Sequence, residues 1–426
     1  LTSLCLLAAT AASAQAATNT LFAAPAAAGA GDCSSAANAC TIDTAVNGAN
    51  ATPITDSVVI ELASGNYPLG APSPTALAVT FAGPSLTIEA ASGTPVLSGT
   101  DTVRVLSVAA ASTVTVDGVT FTSGKTSANG GAIENAGTLT VKDATFSANT
   151  ANNGGAISNA AGATLTVQDS TLSGNTAASV GGGALINFGT ATVLRSALLD
   201  NSAPVNGGAI NQQPGGTMSV SNSTIAGNST NSLGGAMSNL GTITVQSSTI
   251  ANNSASAGLV IATGNSNATY AGDLIAAQTA GDACNPANSA INDAGHNLDT
   301  DGTCISATLP AVGSHNGTTA YGSTTYGAAL NAYLADTPAN NGGPTKTLAL
   351  LNTASPAMTV ANPAFNTISP AFDLPFAVGG KTAACALADQ RGVTALAGRP
   401  CAVGAYLLQS TTTVIHRPAA KFQQNT

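Results

Sequence analysis

An internal repeat between Asn129 and Ser254 constrains the fold of this chain more than any other feature. Its clearest form reads Asn-Gly-Gly-Ala-Ile-x-Asn, then Gly-Thr-Leu-Thr-Val, then x-x-Ser-Thr-Leu-Ser-Gly-Asn. The alanine after the glycine pair recurs at steps of 24, 28, 25 and 27 residues, at Ala132, Ala156, Ala184, Ala209 and Ala236. A unit of this length cannot bury its own apolar face, so the repeat predicts a solenoid in which neighbouring copies stack.

Each repeat contains a short strand in which apolar and hydroxyl side chains alternate. In the stretch from Thr138 to Val141, Leu139 and Val141 fall on one face and both threonines on the other. No stretch has the helical period of apolar residues over the length that a crossover helix needs, which argues against a βαβ fold. We therefore predict an all-β, right-handed, single-stranded parallel β-helix with about three strands per coil, apolar residues inside, and an N-terminal cap.

Two columns of asparagine support this stacking. One column, expected at the end of the third strand of each coil, comprises Asn149, Asn175, Asn201, Asn228 and Asn252. The other, expected at the end of the first strand, comprises Asn135, Asn159, Asn187, Asn211 and Asn239. Stacked amides can bond to each other and to the turns, whereas each unpaired buried amide costs about 1–3 kcal/mol. A disordered Gly/Ser/Asn tract is the alternative, and the unbroken inward Leu/Val/Ile column argues against it.

Two motifs in the repeats resemble those of a known family. Gly130-Gly131-Ala132-Ile133 and Phe146-Ser147-Ala148-Asn149 are similar to the paired GGAI and FxxN motifs of polymorphic outer-membrane proteins. The resemblance covers about the central third of the chain. It implies a β-helical, pectate-lyase-like passenger domain displayed at a cell surface, often with an adhesive role. Farther on, Asp389-Gln390-Arg391-Gly392 and Arg399-Pro400-Cys401 resemble the choice-of-anchor Q domain, although Ala402 stands where that family has Asp.

These patterns divide the chain into five segments. We expect a signal-peptide remnant at 1–16, a cap at 17–56, β-helix repeats at 57–280, a choice-of-anchor Q-like region at 281–409 and a polar tail at 410–426. The apolar run from Leu1 to Ala11, followed by Ala14-Gln15-Ala16, is typical of an export signal and too short to span a bilayer. The sequence therefore predicts a secreted or cell-surface bacterial protein with no transmembrane segment in the mature chain.

The cysteines and histidines bear on disulfides and metals. With Cys5 removed by export, six cysteines remain in three local pairs, which predict disulfides by proximity in a secreted chain: Cys33 with Cys40, Cys284 with Cys304, and Cys385 with Cys401. There is no CxxC motif, and the three histidines are His296, His315 and His416. We therefore predict no metal site and no cofactor.

Charge and the distribution of acids limit the possible functions. A net charge of −9 with only ten Lys and Arg argues against nucleic-acid binding, which requires a basic surface. Asp299 and Asp301 resemble a calcium loop but lack the glutamate of an EF-hand, so we expect a structural turn. In the repeats, Asp143 and Asp169 occupy equivalent positions and can stack, and we interpret them as solvated turn residues; the other repeat acids are Asp117, Glu134 and Asp200.

The sequence predicts a non-catalytic adhesion or glycan-binding scaffold, with a surface glycan or another extracellular protein as partner and no catalytic residue. A polysaccharide-active enzyme of pectate-lyase-like fold is one alternative, and it requires several acids and a base converging along one strand face. An ice-binding solenoid is the other, suggested by threonine columns that Ser219 and the unequal coil lengths are expected to spoil. These columns are Thr138/Thr140, Thr164/Thr166, Thr190/Thr192 and Thr242/Thr244.

Overall fold

The computed structural model describes residues 17–52, 55–70, 76–256, 259–264, 267–276, 278, 280, 282–284, 291–295 and 297–304, with short pieces at 315–316, 320–321, 324–325, 338–340 and 345–347. Over these residues the chain is an all-β parallel β-helix, as predicted, and a right-handed coil is consistent with it. The expected signal remnant, polar tail, Cys385–Cys401 pair and most of 281–409 lie outside the described residues, so the segment limits stay predictions.

Four parallel sheets run along the solenoid, and we call them A to D. Sheet A has eleven strands: Thr18–Ala23, Ser57–Leu62, Leu86–Ala90, Thr113–Asp117, Thr138–Lys142, Thr164–Gln168, Thr190–Leu194, Thr217–Ser221, Thr242–Gln246, Asn267–Ala271 and Ile291–Asp293. Sheet B has eleven: Gly65–Pro68, Pro95–Ser98, Thr120–Thr122, Thr145–Ser147, Thr171–Ser173, Ala197–Leu199, Thr224–Ala226, Thr249–Ala251, Leu274–Ala276, Leu298–Asp299 and His315–Asn316.

Sheets C and D are built of shorter strands. Sheet C has eight strands: Leu77–Val79, Leu106–Val108, Ile133–Asn135, Ile157–Asn159, Leu185–Asn187, Ile210–Gln212, Met237–Asn239 and Ile261–Thr263. Sheet D has five two-residue strands: Thr150–Ala151, Thr176–Ala177, Ser202–Ala203, Ser229–Thr230 and Ser254–Ala255. A coil passes through C, A, B and D in turn, so the three predicted strands are joined by a short fourth. A separate antiparallel pair, Ala320–Tyr321 with Thr324–Thr325, lies outside this stack.

The corner between sheets A and B repeats one backbone conformation. The residue after each of the seven sheet A strands from Thr113–Asp117 to Asn267–Ala271 has a positive φ, as in Asp143 (48°), Asp169 (50°) and Arg195 (47°). A positive φ turns the chain sharply and is tolerated best by Gly, Asn and Asp. The corner therefore follows from local geometry, and even Arg195 adopts it because the stacked neighbours hold it there.

The core is one continuous column of inward side chains. Leu139 and Val141 are fully buried while Thr138 is exposed, which confirms the predicted alternation. Phe121 and Phe146 stack on adjacent rungs with ring centroids 4.8 Å apart and planes 3° from parallel. The inward column thus gains both burial and ring stacking from strict rung alignment.

The first asparagine column forms a buried ladder after sheet B. The Asn149 side-chain amide donates to Asn175 Oδ1 at 2.9 Å, and the same bond repeats from Asn175 to Asn201, from Asn201 to Asn228 and from Asn228 to Asn253. The predicted fifth member, Asn252, is wrong by one residue: Asn252 takes the positive-φ corner (56°), and Asn253 enters the ladder.

The second asparagine column ends sheet C, and one predicted member of it is wrong. Asn135 donates to Asn159, and Asn159 to Asn187, at 2.7 Å each, and Asn187 then donates to Gln212 at 2.8 Å, so Gln212 and not Asn211 occupies the column. Asn211 points outward, because it pairs in register with Ile186. The buried side-chain nitrogens of both Asn211 and Gln212 have no partner within the described part of the chain.

A third ladder, of serine, runs beside the corner after sheet A. The Ser170 backbone N–H donates to Ser196 Oγ at 3.2 Å, and the pattern continues through Ser223 and Ser248. At its end the Ser248 N–H donates to Oδ1 of the fully buried Asp273 at 2.7 Å. The polar ladders supply buried backbone groups with partners that the sheets do not provide.

The N-terminal end of the solenoid is covered by a helix, α1 (Ile42–Ala51), which follows a short 3₁₀ helix (Ala36–Asn38). Ile42, Ala45, Val46 and Ala49 enter the core. At the edge strand of sheet C, the Asn50 side chain donates to Ala78 O (2.8 Å) and accepts from the Thr80 N–H (2.9 Å). An exposed strand edge would invite pairing with another chain, so these bonds close it.

Two of the predicted disulfides are present. Cys33 bonds to Cys40 in the N-terminal segment, and Cys284 bonds to Cys304 near the other end of the coils. Disulfides of this kind fit an extracellular protein. No helix among the described residues is long and apolar enough to cross a bilayer.

Candidate binding face

The outward face of sheet A carries a regular grid of threonine. Its first column is exposed and runs through six consecutive rungs: Thr113, Thr138, Thr164, Thr190, Thr217 and Thr242. Its second column, partly exposed, is Thr87, Thr115, Thr140, Thr166, Thr192, Ser219, Thr244 and Thr269. Rungs stack at ~4.8 Å and the columns lie roughly 7 Å apart along the strand, so the hydroxyls form a two-dimensional array.

The register of the grid is kept despite the unequal coil lengths, which were expected from the sequence to spoil a flat lattice. Two residues, Ala136 and Gly137, connect Asn135 to Thr138, whereas four residues, 160–163, connect Asn159 to Thr164. The two strands nevertheless pair residue for residue, with Thr138 opposite Thr164. Length differences are absorbed at the corners because ladder pairing fixes the strands. Ser219 keeps its place in the column and retains a hydroxyl.

A charged column borders the grid on its sheet B side. Glu61, Glu89, Asp117 and Lys142 occupy one register position on four successive rungs. Asp117 is among the acids of the repeats that the sequence analysis named, but Glu61 and Glu89 were missed. Their signal was present, since each follows an alternating apolar strand at the position that Lys142 occupies in Thr138–Lys142.

The basic groups in and beside this column are held in ion pairs. Lys142 Nζ lies 3.0 Å from Asp117 Oδ2 and 3.3 Å from Asp143 Oδ2. In the neighbouring corner column, two rungs beyond Lys142, Arg195 Nε and Nη2 each lie 2.7 Å from one oxygen of Asp169. The hydrogen bond to Asp117 raises the pKa of Lys142, so this amine stays charged.

Burial and the neighbouring Glu61 and Asp117 carboxylates raise the pKa of Glu89. A carboxyl flanked by like charges on both rungs favours the neutral form. The column thus contains one acid with a raised pKa, Glu89, and one lysine with a raised pKa, Lys142.

The other acids that the sequence singled out lie elsewhere on the solenoid. Glu134 is on the outward face of sheet C, 2.7 Å from Arg104 Nη2. Asp200 is exposed at the corner after sheet B, with a positive φ of 54°. The structure therefore brings together Asp117, Asp143 and Asp169 but neither Glu134 nor Asp200.

Asp299 and Asp301 form a turn, as predicted. Asp299 Oδ2 accepts the Cys304 N–H and Asp301 Oδ2 accepts the Ala283 N–H, both at 2.7 Å. Burial raises the pKa of Asp301, but bonds from Asp299, Thr303 and the backbone outweigh it and leave the pKa below its ordinary value. These carboxylates bind the chain around the Cys284–Cys304 disulfide.

Metal-type side chains are dispersed in the described part of the chain. No group of three or more His, Cys, Asp or Glu there is arranged to hold a metal ion. The side chains of His296, His315 and His416 lie outside the described part of the structure.

No protein-family model matches the chain, and no curated protein matches it. Among solved structures it is similar to one titled "Crystal structure of pectate lyase Pel9A", at 12% identity and a TM-score of 0.48, over 93% of this chain and 98% of that one. A likeness at this level carries no argument about activity. The class of the protein, a parallel β-helix solenoid, follows from its own strand pairing.

Proposed function

We propose that this chain is a secreted or cell-surface β-helix protein that acts as a non-catalytic adhesion or glycan-binding scaffold. Its binding face is the threonine grid of sheet A. The observation that supports the proposal is the unbroken register of exposed hydroxyls over six rungs. Within this proposal, residues 1–16 direct export, and 281–409 is a choice-of-anchor Q-like region beside a polymorphic outer-membrane-protein-like solenoid.

A rigid hydroxyl array suits a neutral, hydroxyl-rich ligand. Each threonine can donate and accept one hydrogen bond, and each such bond contributes only about 0.5–1.5 kcal/mol. An extended polymer can engage many rungs at once, so weak contacts accumulate. Because ladder pairing already fixes the strands, little conformational entropy is lost on binding.

Glycan and matrix-protein arrays test this proposal with the full chain. The test variant removes three hydroxyls from adjacent rungs of the grid: Thr140→Val, Thr166→Val and Thr192→Val. Valine keeps the strand preference and the volume. The matched control makes the same change at three stacked outward threonines of sheet B: Thr120→Val, Thr145→Val and Thr171→Val.

We expect the native chain to bind at least one array ligand and the grid variant to bind it roughly tenfold or more weakly, because about 1.4 kcal/mol corresponds to a tenfold change. The control variant should bind like the native chain. No binding to any glycan or matrix protein, or an equal loss in both variants, would contradict the proposal.

Ice is the second candidate ligand, and the strict register of the grid favours it specifically. Regular hydroxyl spacing across many rungs is what a lattice of ordered water would require. A thermal-hysteresis assay tests it: the native chain should depress the freezing point below the melting point, and Thr166→Tyr should abolish the gap. No hysteresis in the native chain would exclude this function.

The polysaccharide-active alternative rests on the Glu61–Glu89–Asp117 column beside Lys142. A lyase needs a base that can lose its proton, and the Lys142 amine is held charged by Asp117. Digestion of acidic and neutral polysaccharides, with and without Ca²⁺, decides the point. Product release that disappears in both Lys142→Met and Glu89→Gln would establish the enzyme and overturn the scaffold.

A further inference from the structure

The outward face of sheet B changes character along the solenoid. In the early coils its side chains are hydroxyls at least partly open to solvent, as at Thr145 and Ser147. From the strand Ala197–Leu199 onward they are buried over four successive rungs: Ala197 and Leu199, Thr224 and Ala226, Thr249 and Ala251, and Leu274 and Ala276. Leu199 and Leu274 are 4% and 1% exposed, although both point away from the solenoid axis.

Outward side chains of a solenoid can be buried only by material packed on its outside. A described piece of the C-terminal region lies at the start of this covered face. The Thr345 hydroxyl donates to the backbone oxygen of Arg195 at 3.1 Å, and Arg195 lies two residues before Ala197. Thr345 and Thr347 are themselves buried, at 4% and 0% exposure.

The same piece is closed on itself by backbone bonds. The Ala339 N–H donates to Thr347 O and the Thr347 N–H donates to Ala339 O, each at 3.0 Å. This antiparallel bridge joins the described pieces 338–340 and 345–347. Leu348, Ala349, Leu350 and Leu351 follow at once, and this apolar run matches the apolar face in chemistry.

We propose that the segment Pro338–Leu351 docks on the outward face of sheet B over the four rungs from Ala197 to Ala276. Through the hydrogen bond from Thr345 to Arg195, the docked segment connects the C-terminal region to a coil 150 residues earlier in the sequence. It also covers an apolar sheet face that would otherwise associate with other molecules. The threonine grid on sheet A stays free on the adjoining side.

Hydrogen exchange of the full-length chain, read by mass spectrometry on peptides spanning 338–351, tests this docking. Ala251→Lys places a charge under the docked segment. Ser147→Lys places the same charge on the same sheet outside the covered rungs and serves as control. We expect amide exchange in 338–351 to accelerate at least tenfold in Ala251→Lys and to stay unchanged in Ser147→Lys.

A milder variant keeps the test decisive if Ala251→Lys does not fold. Thr345→Val removes one hydroxyl bond and should accelerate exchange in 338–351 roughly twofold to tenfold. Unchanged exchange in Thr345→Val and, where it folds, in Ala251→Lys would overturn the proposal. So would light scattering that shows a native dimer which Ala251→Lys converts to a monomer, because a second copy would then cover the face.

Discussion

At the scale of single residues, stability depends on which member of a polar pair enters the stack. Asn252 and Asn253 are adjacent and identical, yet one takes a corner and the other joins a buried ladder. Sequence alone could not distinguish them, because the choice is set by the neighbouring rung. The same holds for Asn211 and Gln212, where the predicted column was wrong by one position.

Substitutions at Asn252 and Asn253 should lower the free energy of unfolding by unequal amounts. Asn253 Oδ1 accepts from the Asn228 side chain and backbone, and its Nδ2 donates to Ile225 O, so Asn253→Ala leaves several buried groups unpaired. We expect a loss of about 2–4 kcal/mol in the free energy of unfolding measured with urea. Asn252→Gly should cost less than about 1 kcal/mol, since glycine serves the same corner at Gly227. Equal losses would refute the assignment.

Asp273 makes the stability of the fold decline as pH rises. Burial raises the pKa of its carboxyl well above the ordinary 3.8, with a further contribution from Asp293. The folded state therefore favours the protonated carboxyl. The contribution of Asp273 to the free energy of unfolding is fully present below pH 3.8 and is lost as pH rises through the raised pKa.

The pH dependence can be measured by urea unfolding at a series of pH values. Asp273→Ser restores the residue that the ladder has at Ser248 and Ser223, and it should flatten the decline in stability as pH rises above 3.8, a slope of at most about 1.4 kcal/mol per pH unit. Asp200→Gly, at an exposed corner, is the control and should leave the slope unchanged. A slope in Asp273→Ser as steep as that of the native chain would contradict this account.

At the scale of elements, strands and corners have different roles: the strands are regular and the corners vary in length. Strands keep a fixed length and face, so the alternation of Leu139 and Val141 with threonine was sufficient to predict them. Corners absorb insertions, and their lengths could not reveal whether the strands stay aligned. The serine ladder was missed because serine is common in loops of this chain, and only stacking separates Ser170 or Ser196 from the rest.

The cap helix α1 offers a test at this scale. Asn50 satisfies both polar groups of the sheet C edge at Ala78 and Thr80, so Asn50→Ala should lower the free energy of unfolding by about 1–3 kcal/mol. It should also accelerate amide exchange in residues 77–80. Asn47→Ala, on an exposed position of the same helix, should change neither quantity. Unchanged amide exchange in residues 77–80 of Asn50→Ala would contradict the proposed capping role.

At the scale of the whole molecule, repetition converts small local preferences into a surface. The fold class and inward column could be predicted from the repeat, and two of the disulfides from the proximity of their cysteines in the sequence. The charged column was missed, because Glu61 and Glu89 lie in coils that lack the repeat motif, and the register places them beside Asp117. The binding proposal likewise depends on alignment between coils, which no single repeat contains.

Distances along one outward column measure that alignment most directly. With one nitroxide label at Thr87 and the second at Thr192, Ser219 or Thr244, the labels are four, five or six rungs apart. Double electron–electron resonance should give narrow distributions whose centres rise by ~4.8 Å per rung, from ~19 Å to ~29 Å between backbone positions. Broad distributions, or distances that do not rise evenly with the number of rungs, would contradict the stacked register and the threonine grid with it.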